Sequence, residues 1–173
     1  MAAPADRPKP DIHLRPATPA DLDALVDLEA RLFDYDQMSR RSFRRLVGAP
    51  TASLLIAEHE GAFAGYALVL FRPRSAIARL YSIGVANTGL GIGPALLAAA
   101  EEAARRRHCT ALRLEVHENN AAAISRYRKS GYVLRGHRSA YYTDNGNALR
   151  FEKHLTASSP AKDSASPVRR AAR

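Results

Sequence analysis

The amino-acid sequence predicts an α/β fold, one domain with a mixed sheet and helices on both faces. Three observations carry this prediction. The apolar segments run strand–strand and then strand–helix–strand–helix–strand, an order that lays helices against a sheet rather than into a bundle. In mid-chain an apolar strand meets a helix through a glycine-rich turn, Gly89-Leu90-Gly91-Ile92-Gly93. The length of 173 residues suits a single domain large enough to bury a continuous core.

Residues 1–10 are rich in Ala and Pro and are expected to form a disordered tail. The folded domain is expected at residues 11–155. Residues 12–15 alternate like a strand. Thr18, followed by Pro19, opens a helix with Leu22, Leu25, Val26, Leu28 and Leu32 on its apolar face. Residues 33–38 read as a loop. Ser39 starts a second helix with Phe43, Leu46 and Val47 inward, and Gly48-Ala49-Pro50 ends it. Residues 53–57 and 63–71 are strands joined by a hairpin at Glu60-Gly61.

Residues 77–85 form the strand before the glycine turn, and residues 92–107 the helix after it. That helix places Arg105-Arg106-Arg107 at the negative end of its dipole. A strand at 111–117 and a helix at 119–129 follow. The helix is capped by Asn119 or Asn120 and stopped by Gly131. Residues 132–134 and 148–151 are the last strands. Residues 156–173 are rich in Ser, Ala and Pro, end in Arg169-Arg170-Ala171-Ala172-Arg173, and are expected to form a disordered basic tail.

The glycine turn has the makings of an anion cradle. Glycine lets the backbone approach a ligand closely, and a new helix offers unpaired N–H groups and the positive end of its dipole. Phosphate or pyrophosphate is the usual guest. Pro94 suits the first turn, where an N–H is not needed. The spacing is not that of a dinucleotide fingerprint, and Pro94 stands where a P-loop needs Lys. A tight turn without a ligand is the alternative.

Composition narrows the function further. A net charge of +9 suits a polyanionic cofactor or a nucleic-acid-rich neighbour such as a ribosome. The basic residues are scattered and no aromatic RNA-reading motif is present, so direct nucleic-acid binding is not expected. The single cysteine, Cys109, excludes an intramolecular disulfide and fits a reducing cytoplasm. No apolar run reaches the length of a membrane span, and residues 1–10 do not resemble a signal peptide. The chain is therefore expected to be cytoplasmic, away from membranes. Its six histidines show no metal-ligand spacing, and no metal is expected.

The strand–cradle–helix is followed by Leu112-Arg113-Leu114-Glu115-Val116-His117-Glu118-Asn119-Asn120-Ala121-Ala122-Ala123-Ile124 and Tyr127-Arg128-Lys129-Ser130-Gly131-Tyr132. Over residues 12–155 this combination resembles the GNAT acetyltransferases, and among them the ribosomal-protein-alanine N-acetyltransferases. Tyr141-Tyr142, Ala148-Leu149 and Lys153-His154-Leu155 echo the end of those enzymes. Two departures stand out. Thr88 holds the Arg/Gln place of a phosphate loop that is also shorter than usual. Ala140 replaces the Asn before Tyr-Tyr, and the chain has no Trp.

The resemblance implies a mostly antiparallel GNAT-like sheet, with acetyl-CoA as co-substrate and no metal. Thr88, Gly89, Leu90, Gly91, Ile92 and Gly93 would hold the phosphates. Ile83, Gly84 and Val85 would line the pantetheine arm, and Asn120 would contact the cofactor, its alternative being a plain helix cap. Glu115 would deprotonate the acceptor amine, directly or through water. Its alternative is an ion pair with Arg113 or another basic neighbour. Tyr127 would protonate the coenzyme thiolate, its alternative being packing. Tyr141 and Tyr142 would hold a peptide N-terminus, or simply pack. Asp34 and Asp36 would attract a substrate ammonium, or be solvated. Cys109 reads as a small buried residue rather than a nucleophile. The implied activity is N-acetylation of a protein or peptide N-terminus, with ribosomal proteins among the partners. A small-amine acetyltransferase and a non-catalytic acyl-CoA-binding module are the alternatives.

Overall fold

The computed structural model describes residues 11–156; apart from residue 156, the expected tails lie outside the described residues. The strands are β1 (Ile12–Pro16), β2 (Ala52–His59), β3 (Ala62–Leu70), β4 (Ile77–Val85), β5 (Ala111–His117), β6 (Val133–Arg138) and β7 (Ala148–His154). The helices are α1 (Leu22–Leu32), α2 (Arg40–Leu46), α3 (Ile92–Arg106) and α4 (Ala121–Lys129). The strands form one seven-stranded sheet in the order β1-β2-β3-β4-β5-β7-β6. Every neighbouring pair is antiparallel except β4 and β5. The last strand is inserted between β5 and β6.

Local chemistry sets the boundaries. Thr18 opens a single 3-10 turn, Pro19–Asp21, before α1. There the Asp21 carboxylate accepts from the Thr18 N–H at 2.7 Å and from both terminal nitrogens of Arg15 at 2.8 Å. Ser39 caps α2 by accepting from the Ser42 N–H. Glu60 and Gly61 both take positive φ, 51° and 75°, the geometry of a two-residue hairpin turn between twisted strands.

Strand alternation divides the core in two. On one face α3 and α4 bury Leu96, Leu97, Ala100, Ala104 and Tyr127 against Ala67, Val69, Ala78, Leu80, Leu112, Leu114 and Phe151. On the other, α1 and α2 bury Leu25, Leu28 and Phe43 against Leu54, Ile56, Tyr66 and Leu68. Neighbouring residues of β3 thus point to opposite cores, as a period of two demands.

The sheet splits in its middle. β4 pairs with β5 only from Ile77 opposite Ala111 to Leu80 opposite Leu114. Beyond that point β4 follows β3 as far as Val85, while β5 stays with β7. The split coincides with a bulge. Leu68 faces Ser82 and Val69 faces Leu80, which leaves Tyr81 as the extra residue. A bulge bends its strand, and here β4 turns away from β5. Close contact with β3 holds it there. A Cβ on Gly65 would lie 2.6 Å from the Gly84 carbonyl oxygen and 3.1 Å from Leu96 Cδ1. Gly65→Ala is therefore expected to destabilise the fold by about 1–3 kcal/mol, the usual cost of overpacking. Chemical denaturation measures this, and an unchanged midpoint would mean that the strands separate without cost.

Candidate active site

A cavity of about 810 Å³ occupies the split and passes from one side of the sheet to the other. On the α4 side its walls include Asn120, Ala123, Arg126 and Tyr127. On the α1 side they include Glu29, Phe33, Asp34 and Asp36, with Tyr141, Tyr142 and Asp144 from the β6–β7 loop. Ile83, packed against the α3–α4 core, and Glu115, on the opposite face of the sheet, also line it. The expected residues Ile83, Glu115, Asn120, Tyr127, Tyr141 and Tyr142 are thus brought together, though they are far apart in the chain.

Gly84, Val85 and residues 88–93 are not in the cavity wall. Gly84 is buried, and a Cβ there would meet Leu32 Cδ1 at 2.9 Å and Tyr66 Cε1 at 3.0 Å, so its small size lets α1 close on β4. Thr88 to Gly91 form an exposed turn that ends in α3, with Ile92 and Gly93 buried at its start. Gly89 and Gly91 take φ of 86° and 78°, a region open to glycine at no steric cost. Gly91 is the residue before α3 and has no side chain to cap it, so the first N–H groups of the helix are left for a ligand or water.

Asn120 caps α4: its Oδ1 accepts from the Ala123 N–H at 3.1 Å. Its amide nitrogen donates to no group among the described residues. The cap thus occupies only the oxygen end of the side chain.

Glu115 sits on β5 among residues that point the other way into the core, Leu114 and Val116. Arg79 Nε donates to its Oε2 at 2.9 Å, and Arg150 Nε lies 3.7 Å from its Oε1. Arg113 instead pairs with Glu152 on β7. The ion pair expected as the alternative is present, with Arg79 and Arg150 rather than Arg113 as the basic neighbours, and Glu115 also lines the cavity.

Tyr127 is 8% exposed and packs edge-on against Tyr132 and near Phe151. Its hydroxyl has no hydrogen-bond partner among the described residues. No fully enclosed side-chain polar atom lacks one there, so this hydroxyl is open to the cavity. Burial pushes it above the ordinary tyrosine range, with partial offset from the Arg126 cation. It stays protonated at neutral pH and can donate.

Tyr141 accepts from Arg79 Nη2 at 2.5 Å. Tyr142 stacks on His117 with ring centroids 5.0 Å apart, and burial pushes its hydroxyl up to about 12. Asp36 Oδ2 accepts from the N–H and hydroxyl of Thr143, at 3.2 and 3.3 Å, joining the α1–α2 loop to the β6–β7 loop. The Asp34 carboxylate makes no such bond among the described residues. Cys109 is buried, and burial pushes its thiol up, away from nucleophilic chemistry. Among the described residues no group of His, Cys, Asp and Glu is placed to hold a metal ion, and no helix is long and apolar enough to cross a membrane.

Among the cavity residues that sequence reasoning missed are Glu29, Arg79 and His117. Glu29 is 2% exposed. It accepts from the Met38 N–H at 2.7 Å and from the Tyr66 hydroxyl, which also lies 2.6 Å from Ser82 Oγ. Its spacing, seven residues after Leu22 and four after Leu25, already put it on the apolar face of α1. His117 follows Glu115 by two residues and shares its face of the strand. Arg79 had no local signal, because its partners lie on β5 and in the β6–β7 loop.

A sheet split beside its one parallel pair, a glycine turn at the head of the next helix and a cavity through the gap define an N-acetyltransferase fold. The chain belongs to the acetyltransferase (GNAT) family, whose model matches residues 21–132. It is similar to the N-alpha-acetyltransferase RimI of Mycobacterium tuberculosis, at 34% identity over 134 residues, 75% of this chain and 83% of that protein. It is also similar to a Bacillus subtilis protein with the provisional name ribosomal protein bS18-alanine N-acetyltransferase, at 30% identity over 126 residues, 73% of this chain and 83% of that one. Among solved structures, the ribosomal-protein-alanine N-acetyltransferase of Brucella melitensis superposes with a TM-score of 0.72 at 28% identity, covering 83% of this chain and 99% of that one. The chain is an acetyl-CoA-dependent N-acetyltransferase.

Proposed function

We propose that the chain transfers the acetyl group of acetyl-CoA to the N-terminal α-amine of a protein or peptide, by direct attack in a ternary complex. The observation that carries this reading is the cavity through the split sheet, with Tyr127 in its wall on one side and Glu115 beside the acceptor loops on the other. The cofactor phosphates lie against Thr88 to Gly93 and the pantetheine along Ile83, Gly84 and Val85, within reach of the Asn120 amide. The Val85 N–H faces the thioester carbonyl, and a fixed donor there favours the tetrahedral oxyanion.

The acceptor enters between the α1–α2 and β6–β7 loops, beside Tyr141 and Tyr142. The free Asp34 carboxylate attracts its ammonium. Glu115 takes the proton, directly or through water. The neutral nitrogen bonds the acetyl carbon, the C–S bond breaks, and the Tyr127 hydroxyl protonates the departing sulfur, while the nitrogen sheds its second proton through solvent, which reprotonates Tyr127. An α-amine has a pKa near 8 against about 10.4 for lysine, so a modest base suffices. The names of the relatives support an α-amine on a ribosomal protein as acceptor.

A CoA-release assay over peptides of defined N-terminus and a panel of free amines tests this. Turnover on peptides well above that on free amines is expected. Turnover on small amines alone overturns the acceptor. Acetyl-CoA binding with no turnover on either overturns catalysis in favour of a sensor. The cradle has its own test. A Cβ on Gly93 would meet Arg126 Nη1 at 3.6 Å and Val85 Cγ1 at 3.9 Å, ordinary contacts for one added methyl, and circular dichroism checks that Gly93→Val is folded. The added methyls obstruct the backbone approach, so acetyl-CoA should bind at least tenfold more weakly, about 1.4 kcal/mol. Unchanged affinity by calorimetry would remove the cradle from the cofactor site.

A further inference from the structure

Arg79 stands at the junction of everything proposed for the acceptor side. It lies on β4 opposite Arg113 of β5, a like-charge pairing that sheets disfavour. Its side chain resolves the conflict by reaching diagonally. Nε donates to Glu115 Oε2 at 2.9 Å, and Nη2 donates to the Tyr141 hydroxyl at 2.5 Å. The guanidinium also lies 5.2 Å from the centroid of the Tyr81 ring, at the bulge where the sheet splits. A planar guanidinium offers several donors in a fixed fork, so two partners gripped by its different nitrogens are held in a fixed relation.

We infer that Arg79 is a positioning residue that couples the acceptor loop to the base, aiming the Glu115 carboxylate with one nitrogen while docking Tyr141 with another. This rests on the assignment of Glu115 as base. An acceptor that settles against Tyr141 thereby acts on the geometry of Glu115. Arg150, 3.7 Å from the other carboxylate oxygen, completes the orientation but has no hydrogen bond to the loop.

The test is a double-mutant cycle in the full chain, with kcat, peptide KM and acetyl-CoA affinity measured for each variant. Arg79→Met keeps an unbranched stem of similar length and removes the fork, and with it the cation over Tyr81. It should lower kcat and raise peptide KM, with acetyl-CoA affinity unchanged. In the Glu115→Gln background its effect on kcat should vanish, a coupling of about tenfold to hundredfold for groups in contact. Arg79→Lys keeps the charge without the fork and should not restore kcat; full recovery would show that charge alone is needed and overturn the inference. Tyr141→Phe should be similarly non-additive with Arg79→Met. Should the Met variant unfold, the Lys variant carries the same cycle. Full turnover by Glu115→Gln alone overturns the base assignment. A slow Glu115→Gln whose defect multiplies with that of Arg79→Met overturns only the role of Arg79.

Discussion

Replacing Tyr127 with phenylalanine should lower kcat by about 10²–10⁴-fold, the usual contribution of general acid catalysis, with acetyl-CoA affinity unchanged. The substitution is clean. The ring packs against Tyr132 and Phe151, contacts that phenylalanine keeps, and the hydroxyl gives up no hydrogen bond among the described residues. Burial holds the hydroxyl protonated beyond the ordinary tyrosine range, which suits a donor to a departing thiolate. The same burial links folding to alkaline pH. The folded-state value is raised, so this contribution to stability is present below about 10, where an unfolded tyrosine titrates, and is lost as pH rises toward the folded value. The variant should therefore also lose a little of the fold's alkaline sensitivity, read from melting temperatures across pH. Near-full turnover under conditions where chemistry limits the rate would leave transfer to proximity alone.

Glu115→Gln should cost a similar factor, about 10²–10⁴-fold in kcat at neutral pH. Here the sign of the pH dependence identifies the role. If the carboxylate removes the proton of an ammonium, solvent takes over that task above about pH 8, where an α-amine ionises. The defect should then shrink as pH rises. A defect constant with pH would make Glu115 only the counter-ion of Arg79 and Arg150. Because glutamine leaves those cations unneutralised, the melting temperature and acetyl-CoA affinity of the variant are measured alongside.

Much of the site was written locally. The glycine turn, the strand before it and the helix after it are neighbours in the chain, and positive φ at Gly89 and Gly91 is the use to which such glycines are put. Asn120 announced its capping role through its place before a helix. Tyr127 is different: its inward position follows from helical spacing, but the opening of its hydroxyl into a cavity depends on β4 leaving β5. Glu115 is more so. The alternation of β5 showed that it points away from the core; which cations would meet it was not decided within β5.

The sequence by itself determined the elements, their order, the two apolar faces of the sheet and the glycine turn at the head of α3, because each depends on side-chain periodicity or on the backbone freedom of a few adjacent residues. Tertiary structure alone decided what surrounds Glu115 and Tyr127. Inserting β7 between β5 and β6 puts Arg150 beside Glu115. The bulge at Tyr81 opens the sheet, and the register of β4 on β5 sends Arg79 across to Glu115 and Tyr141. Docking of α1 brings the buried Glu29 into the wall of the cavity. Register and strand order are set by the summed packing of distant segments, and no local window of the chain contains that sum.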